Sequence, residues 1–102
     1  MPDVRIPSSS IVLYRHEVEA AENPTSLPVS MAVKPYGEEP VAADFKVAAW
    51  LTEDGRYYAV ILIGQTGTGI GPLTEGIYKS WVKITDTPEI PVLESVNYLV
   101  IT

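Results

Sequence analysis

The chain has 102 residues, 46% hydrophobic and 20% charged, which fits one folded domain with a modest core. Its 13 acidic residues outnumber 7 basic ones for a formal charge of −6, and Lys and Arg that are scattered along the chain and outnumbered argue against nucleic-acid binding. There is no cysteine, so disulfides, thiolate nucleophiles and Cys-ligated zinc are excluded, and no apolar stretch approaches the roughly 20 residues of a membrane span.

Helix signals are poor, because prolines recur along the chain and no window carries an apolar stripe at helical spacing. The opening MPDVRIPSSS, with prolines at 2 and 7, lacks the basic and apolar regions of a secretory signal. Residues 1–10 are therefore expected to form an extended arm with little to pack against locally. A first strand is predicted over Ile11 to Val18, ended by Glu22-Asn23-Pro24-Thr25. A second runs from Leu27 to Val33 and closes at Lys34-Pro35-Tyr36-Gly37. After a polar connection, a third spans Phe45 to Thr52. Glu53-Asp54-Gly55-Arg56 then reads as a tight hairpin, since Asp-Gly tolerates positive φ. A fourth strand covers Tyr57 to Ile63, a glycine loop follows, and further strands are expected over Ile77 to Thr85 and Tyr98 to Ile101, with a Pro-rich bend between them. The expected fold is all-β: a sandwich of about six or seven antiparallel strands over residues 11–102, preceded by the arm.

The glycine loop poses a specific question. Gly64-Gln65-Thr66-Gly67-Thr68-Gly69 fits the first six positions of a phosphate-binding P-loop. The positions that need Lys and Ser or Thr hold Ile70 and Gly71, and Pro72 follows where a helix would have to begin. Nucleotide binding is therefore rejected. The loop reads as a mobile link between strands, with Ile70 at a solvent-facing tip able to dock on a neighbouring subunit, and deletion of Gly67 to Gly69 is expected to leave folding intact.

Catalytic motifs are lacking too. The single histidine, His16, shares a strand face with Val12, Tyr14 and Val18 and reads as a packed or half-exposed strand residue, with no G-x-S-x-G element to accompany it. The carboxylates show neither a calcium-loop pattern nor a motif that pairs them, and read as solvated surface charge. No catalytic residue, cofactor or metal is expected. Trp50, in a strand with Phe45, Val47, Ala49 and Leu51, can pack on either face, and a core role is favoured.

Leu73-Thr74-Glu75-Gly76-Ile77-Tyr78-Lys79-Ser80 resembles the turn into strand F of immunoglobulin-like domains, in which a tyrosine hydroxyl ties back to upstream backbone. The resemblance gives Tyr78 that part, puts Ser80 where antibody-type domains carry a cysteine, and turns Tyr78, Ser80, Val82 and Ile84 toward the core. The Glu stands one residue nearer the Gly than in the usual pattern. Alternation puts Ile77, Lys79, Trp81 and Lys83 on the other face, and an outward Trp between two lysines reads either as a protein interface or as a ring covered by this chain's own arm or loops.

Trp81-Val82-Lys83-Ile84-Thr85-Asp86, the bend Pro88-Glu89-Ile90-Pro91-Val92 and the terminal Tyr98-Leu99-Val100-Ile101-Thr102 resemble small β-rich virion structural proteins of tailed bacteriophages of actinobacteria. Gly76 and Tyr78 fit this pattern, and Ala48-Ala49-Trp50, Tyr57-Tyr58-Ala59 and Gly64 fit it more loosely. The resemblance implies a non-enzymatic component of a virion, assembled in the host cytoplasm. A capsid decoration or accessory protein would bind the major capsid protein on the head exterior, away from the DNA. A head–tail connector or tail component is the alternative, and a carbohydrate- or receptor-binding module of a tail fibre or baseplate is a third reading. The interface residues expected are Ile6 in the arm, Ile70 in the loop, and Lys79, Trp81 and Lys83 on the late strand, with self-association a further option and neither nucleic acid nor membrane a partner.

Overall fold

A computed structural model describes residues 4–19, 23–64, 67, 69–85, 90–95 and 98–102. Among these, nine strands form two sheets: β1 (Val4–Ile6), β2 (Val12–Val18), β3 (Val29–Pro35), β4 (Lys46–Val47), β5 (Ala49–Glu53), β6 (Arg56–Ile63), β7 (Gly76–Ile84), β8 (Val92–Glu94) and β9 (Leu99–Ile101). The larger sheet has the order β1-β9-β7-β3-β4, with β8 also paired to β7, and the smaller has the order β2-β6-β5. The only helical element described is a short 3-10 turn, Ala42–Asp44. The architecture is an all-β sandwich.

Alternation decides which side of each strand is buried. Along β2 the even positions Tyr14, His16 and Val18 are buried while Leu13 and Arg15 are exposed. Along β7, Tyr78, Ser80, Val82 and Ile84 all point inward. Met31, Ile61, Ile63, Leu99 and Ile101 complete the interior. This period of two is the signature of strands with one face on a core. Trp50 joins the core edge and spends its polar atom within the chain, Nε1 donating to the Leu27 carbonyl at 2.9 Å.

The predicted third strand is broken in two. Lys46–Val47 pairs with β3 in the larger sheet, and after Ala48 the chain continues as β5 in the smaller one. One run thus closes this side of the sandwich. The Asp54-Gly55 hairpin joins β5 to β6 with both residues at positive φ, 53° and 74°. The Pro-rich bend, read as irregular, contains β8. On β7, Trp81 pairs with Glu94 and Tyr78 with Leu99, so the partner chain carries two residues more than β7 between those points. That break separates β8 from β9.

Two expectations are corrected. The arm has a place in its own chain: Val4–Ile6 runs parallel to β9, the one parallel strand pairing among the described residues, and Ile6 is buried in the core. Burial of one such side chain contributes about 2 kcal/mol. The glycine loop is also tied down, because Gly64 N–H donates to the Ile70 carbonyl at 3.0 Å and Ile70 N–H to the Leu62 carbonyl at 2.9 Å. Ile70 is consequently a buried core residue and not a solvent-facing tip. Deletion of Gly67 to Gly69 is accordingly expected to displace Ile70 and lower stability, in place of leaving folding intact.

Gly64 holds φ +107° where a Cβ would collide with the Ser10 carbonyl, whereas Gly67 holds φ +84° with open space around it. Gly67→Ala is expected to cost about 1 kcal/mol from backbone conformation alone, and Gly64→Ala about 1–3 kcal/mol more from the collision. Urea denaturation midpoints of the two variants check the order.

Candidate protein interface

The two faces of β7 carry different chemistry. Its inward side brings Ser80 between two residues of β2. Ser80 Oγ lies 2.9 Å from Tyr14 Oη and 3.0 Å from His16 Nδ1, and Ser80 is fully buried. Burial lowers the His16 pKa from 6.5 to about 4, so the ring is neutral at ordinary pH. With the ring neutral, Ser80 can donate to Nδ1 while accepting from Tyr14, which satisfies three polar groups in one chain of bonds. Burial raises the tyrosine pKa, against a smaller lowering by its bond to Ser80. A serine beside a histidine invites a catalytic reading, but this pair lies between the sheets, closed to substrate. The arrangement acts as a polar link between β2 and β7.

A second inward device starts β7. Tyr78 Oη donates to the Thr74 carbonyl at 2.8 Å, with Thr74 Oγ1 at 3.2 Å. The tie to upstream backbone expected of Tyr78 is present. It fixes the entry of the chain into β7 and hence the register of everything after it.

The outward side of β7 is part of a broad surface on the larger sheet. Register places Arg5, Val100 and Ile77 in one row, Lys79 beside Lys34 in the next, Glu94, Trp81 and Ala32 in a third, and Val92, Lys83 and Ser30 in a fourth. Tyr36, whose N–H donates to the Ile77 carbonyl, extends the first row. Ile77 is 52% exposed and Tyr36 63%, both high for side chains of this size. Tyr36 meets Tyr98 edge to face, with ring centroids 5.3 Å apart and planes at 70°.

The cations on this surface are held against aromatic rings. Lys79 Nζ lies 4.7 Å from the Tyr98 ring centroid and donates to the Ser95 carbonyl at 2.8 Å. Lys83 Nζ lies 4.8 Å from the Phe45 ring. Lys34 sits 3.6 Å from Asp44 and 3.8 Å from Glu38. The Asp44 carboxylate is held below its ordinary range chiefly by the Val41 N–H, against an opposing desolvation, with Lys34 and Lys46 lowering it further. Four of the 7 basic residues, Arg5, Lys34, Lys79 and Lys83, therefore belong to one face of an acidic protein.

The expected interface residues separate into two groups. Lys79, Trp81 and Lys83 share the outward face; Ile6 and Ile70 are core residues, unavailable to a neighbour in this arrangement. Trp81 is half-buried, its Nε1 is shielded from solvent with no hydrogen-bond partner among the described residues, and Ala32 opposite it is fully covered. Its own chain thus covers much of Trp81, and the exposed apolar surface lies beside it at Ile77, Tyr36 and Tyr98. Ile77 was legible by alternation, but Tyr36 and Tyr98 read as strand ends because their meeting depends on the pairing of β3, β7 and β9. Elsewhere, a shallow cleft of about 430 Å³ is lined by Lys46, Val47, Gly67 and Gly69, which offer no acid–base pair. Among the described residues no group of three or more His, Asp or Glu could hold a metal ion.

No protein-family model, curated protein or solved structure matches this chain.

The buried histidine predicts an acid-sensitive fold. His16 binds a proton more readily unfolded, near pH 6.5, than folded, near pH 4, so its contribution is complete above about pH 6.5 and declines as pH falls toward 4. Between pH 7.5 and pH 5 the loss is about 2 kcal/mol. Urea midpoints at the two pH values should show this loss in the native chain and much less of it in His16→Gln.

Proposed function

We propose that the chain is a non-enzymatic structural component of a bacteriophage particle, a capsid accessory or decoration protein that binds the major capsid protein on the head exterior. The observation that carries the binding role is the outward face of the larger sheet, where Ile77, Tyr36 and Tyr98 stand exposed beside Arg5 and Lys79. Aromatic and Arg anchors surrounded by polar groups are the composition of protein interfaces. The particle assignment rests on the late-strand motif Gly76-x-Tyr78 through Asp86, the Pro-Glu-x-Pro-Val bend and the terminal apolar strand.

We read the sandwich as immunoglobulin-like. Labelled in chain order, β2-β6-β5 follows the B-E-D order of that fold and β9-β7-β3-β4 follows G-F-C-C′. Tyr78 supplies the corner tyrosine at the start of strand F, and Ser80, two residues on, links to strand B where antibody-type domains use a disulfide. A non-covalent link there suits a chain without cysteine.

Mass spectrometry of washed virions should find the protein at a fixed ratio to the capsid subunit, and its absence would overturn the reading. Ile77→Asp, at an exposed position, should weaken particle association at least tenfold with the urea midpoint unchanged. The exposed pair Tyr36 and Tyr98 favours a second reading, since rings on a sheet face stack on sugars. Quenching of tyrosine fluorescence by host-wall polysaccharide, abolished in Tyr36→Ala, would support that module in place of the capsid role.

A further inference from the structure

The N-terminal strand is a short edge of the larger sheet that reaches the core through a single side chain. β1 is a three-residue edge strand, paired in parallel to β9, and Ile6 alone among its side chains is buried. Its backbone is held by Val4 N–H on the Tyr98 carbonyl at 3.1 Å and by Thr102 N–H on the Ile6 carbonyl at 3.0 Å. Just beyond, Ser8 N–H donates to the Thr102 carbonyl at 2.9 Å.

The connection from β1 to β2 has the form of a hinge. Ser10 N–H donates to the Pro7 carbonyl at 2.9 Å, closing a tight turn whose residues Pro7, Ser8 and Ser9 are exposed. Ser10 is anchored, because its carbonyl packs so closely on Gly64 that a Cβ there would collide with it. Movement is thus confined to Pro7–Ser9. Pro7 sits between the Ile6 carbonyl and the Ser8 N–H that both bond Thr102, with its ring on the open edge of β1 where a missing N–H interrupts no bond to β9. Release of β1 leaves two complementary parts: a short strand with one apolar anchor, and the unpaired β9 edge with the slot that Ile6 had filled.

We propose that β1 exchanges between two copies of this chain, so that Val4–Ile6 of each copy lies on the Leu99–Ile101 edge of the other in a two-fold dimer. The occupant is a second copy because every contact of β1 in the closed chain is remade across the pair, leaving the hinge to set the balance. The exchange does not depend on the capsid reading.

Arg5 and Val100 are register partners on the outward face, and the native chain has no cysteine, so an engineered pair reports the exchange cleanly. A tagged Arg5→Cys variant is mixed with an untagged Val100→Cys variant at high protein concentration and oxidised mildly. Exchange predicts disulfides between unlike variants at least tenfold more abundant than those between like variants. Unlike pairs no more frequent than like pairs, with the double variant closing only within one chain, would overturn the proposal. Deleting Ser8 and Ser9 shortens the hinge so that β1 cannot fold back. Sedimentation should then show a dimer at least tenfold tighter than that of the native chain, and a monomer with a detached N-terminus would count against exchange.

Discussion

The sandwich depends on one hydroxyl. Ser80 joins Tyr14 and His16 of β2 to β7 within an interior that is otherwise mostly apolar. Polar groups placed there are costly unless each is satisfied, and this one bond chain satisfies all three. The requirement is directional: hydrogen-bond geometry allows one register of β2 over β7, where apolar contacts alone would tolerate sliding. In a chain without cysteine, this is a specific tie between the sheets at the centre of the core.

With Ser80 pinned inward, the period of two puts Lys79, Trp81 and Lys83 outward. The Tyr78 tie to Thr74 holds the start of the same strand, so the outward row begins at Ile77. Because β7 pairs with β3 along its length and with β8 and β9 on its other edge, its alternation is transmitted to the whole larger sheet. The surface that gathers Tyr36, Tyr98 and the four cations is thus a consequence of the interior. Residues that carry chemistry in other proteins, a serine and a histidine, here set a scaffold, and the binding proposed for the chain belongs to the opposite side of the same strand.

Much of this was legible locally. The runs at Ile11 to Val18 and Ile77 to Thr85 alternate, Tyr57 to Ile63 stands out as a continuous apolar run, and Asp54-Gly55 carries its turn type in its residue identities. The faces of His16 and Tyr78 follow from the same period. What was not legible depended on pairing between distant segments. Ile6 looks free in MPDVRIPSSS because its partner, Ile101, lies at the other end of the chain. Ile70 looks like a tip because glycines surround it, yet backbone bonds to Leu62 and Gly64 draw it inward. Composition cannot distinguish a glycine loop that is loose from one whose glycines allow close packing. The break at Ala48 escaped notice because a strand that changes sheets keeps its apolar content throughout.

The state of His16 tests this division of labour most directly. An NMR titration of its ring resonances, followed from pH 8 downward in the folded chain, should show a neutral ring through pH 6 and protonation only near pH 4, accompanied by loss of the native spectrum. A folded chain whose His16 titrates near 6.5 would contradict the account, for the ring would then be open to water and free to act as a base.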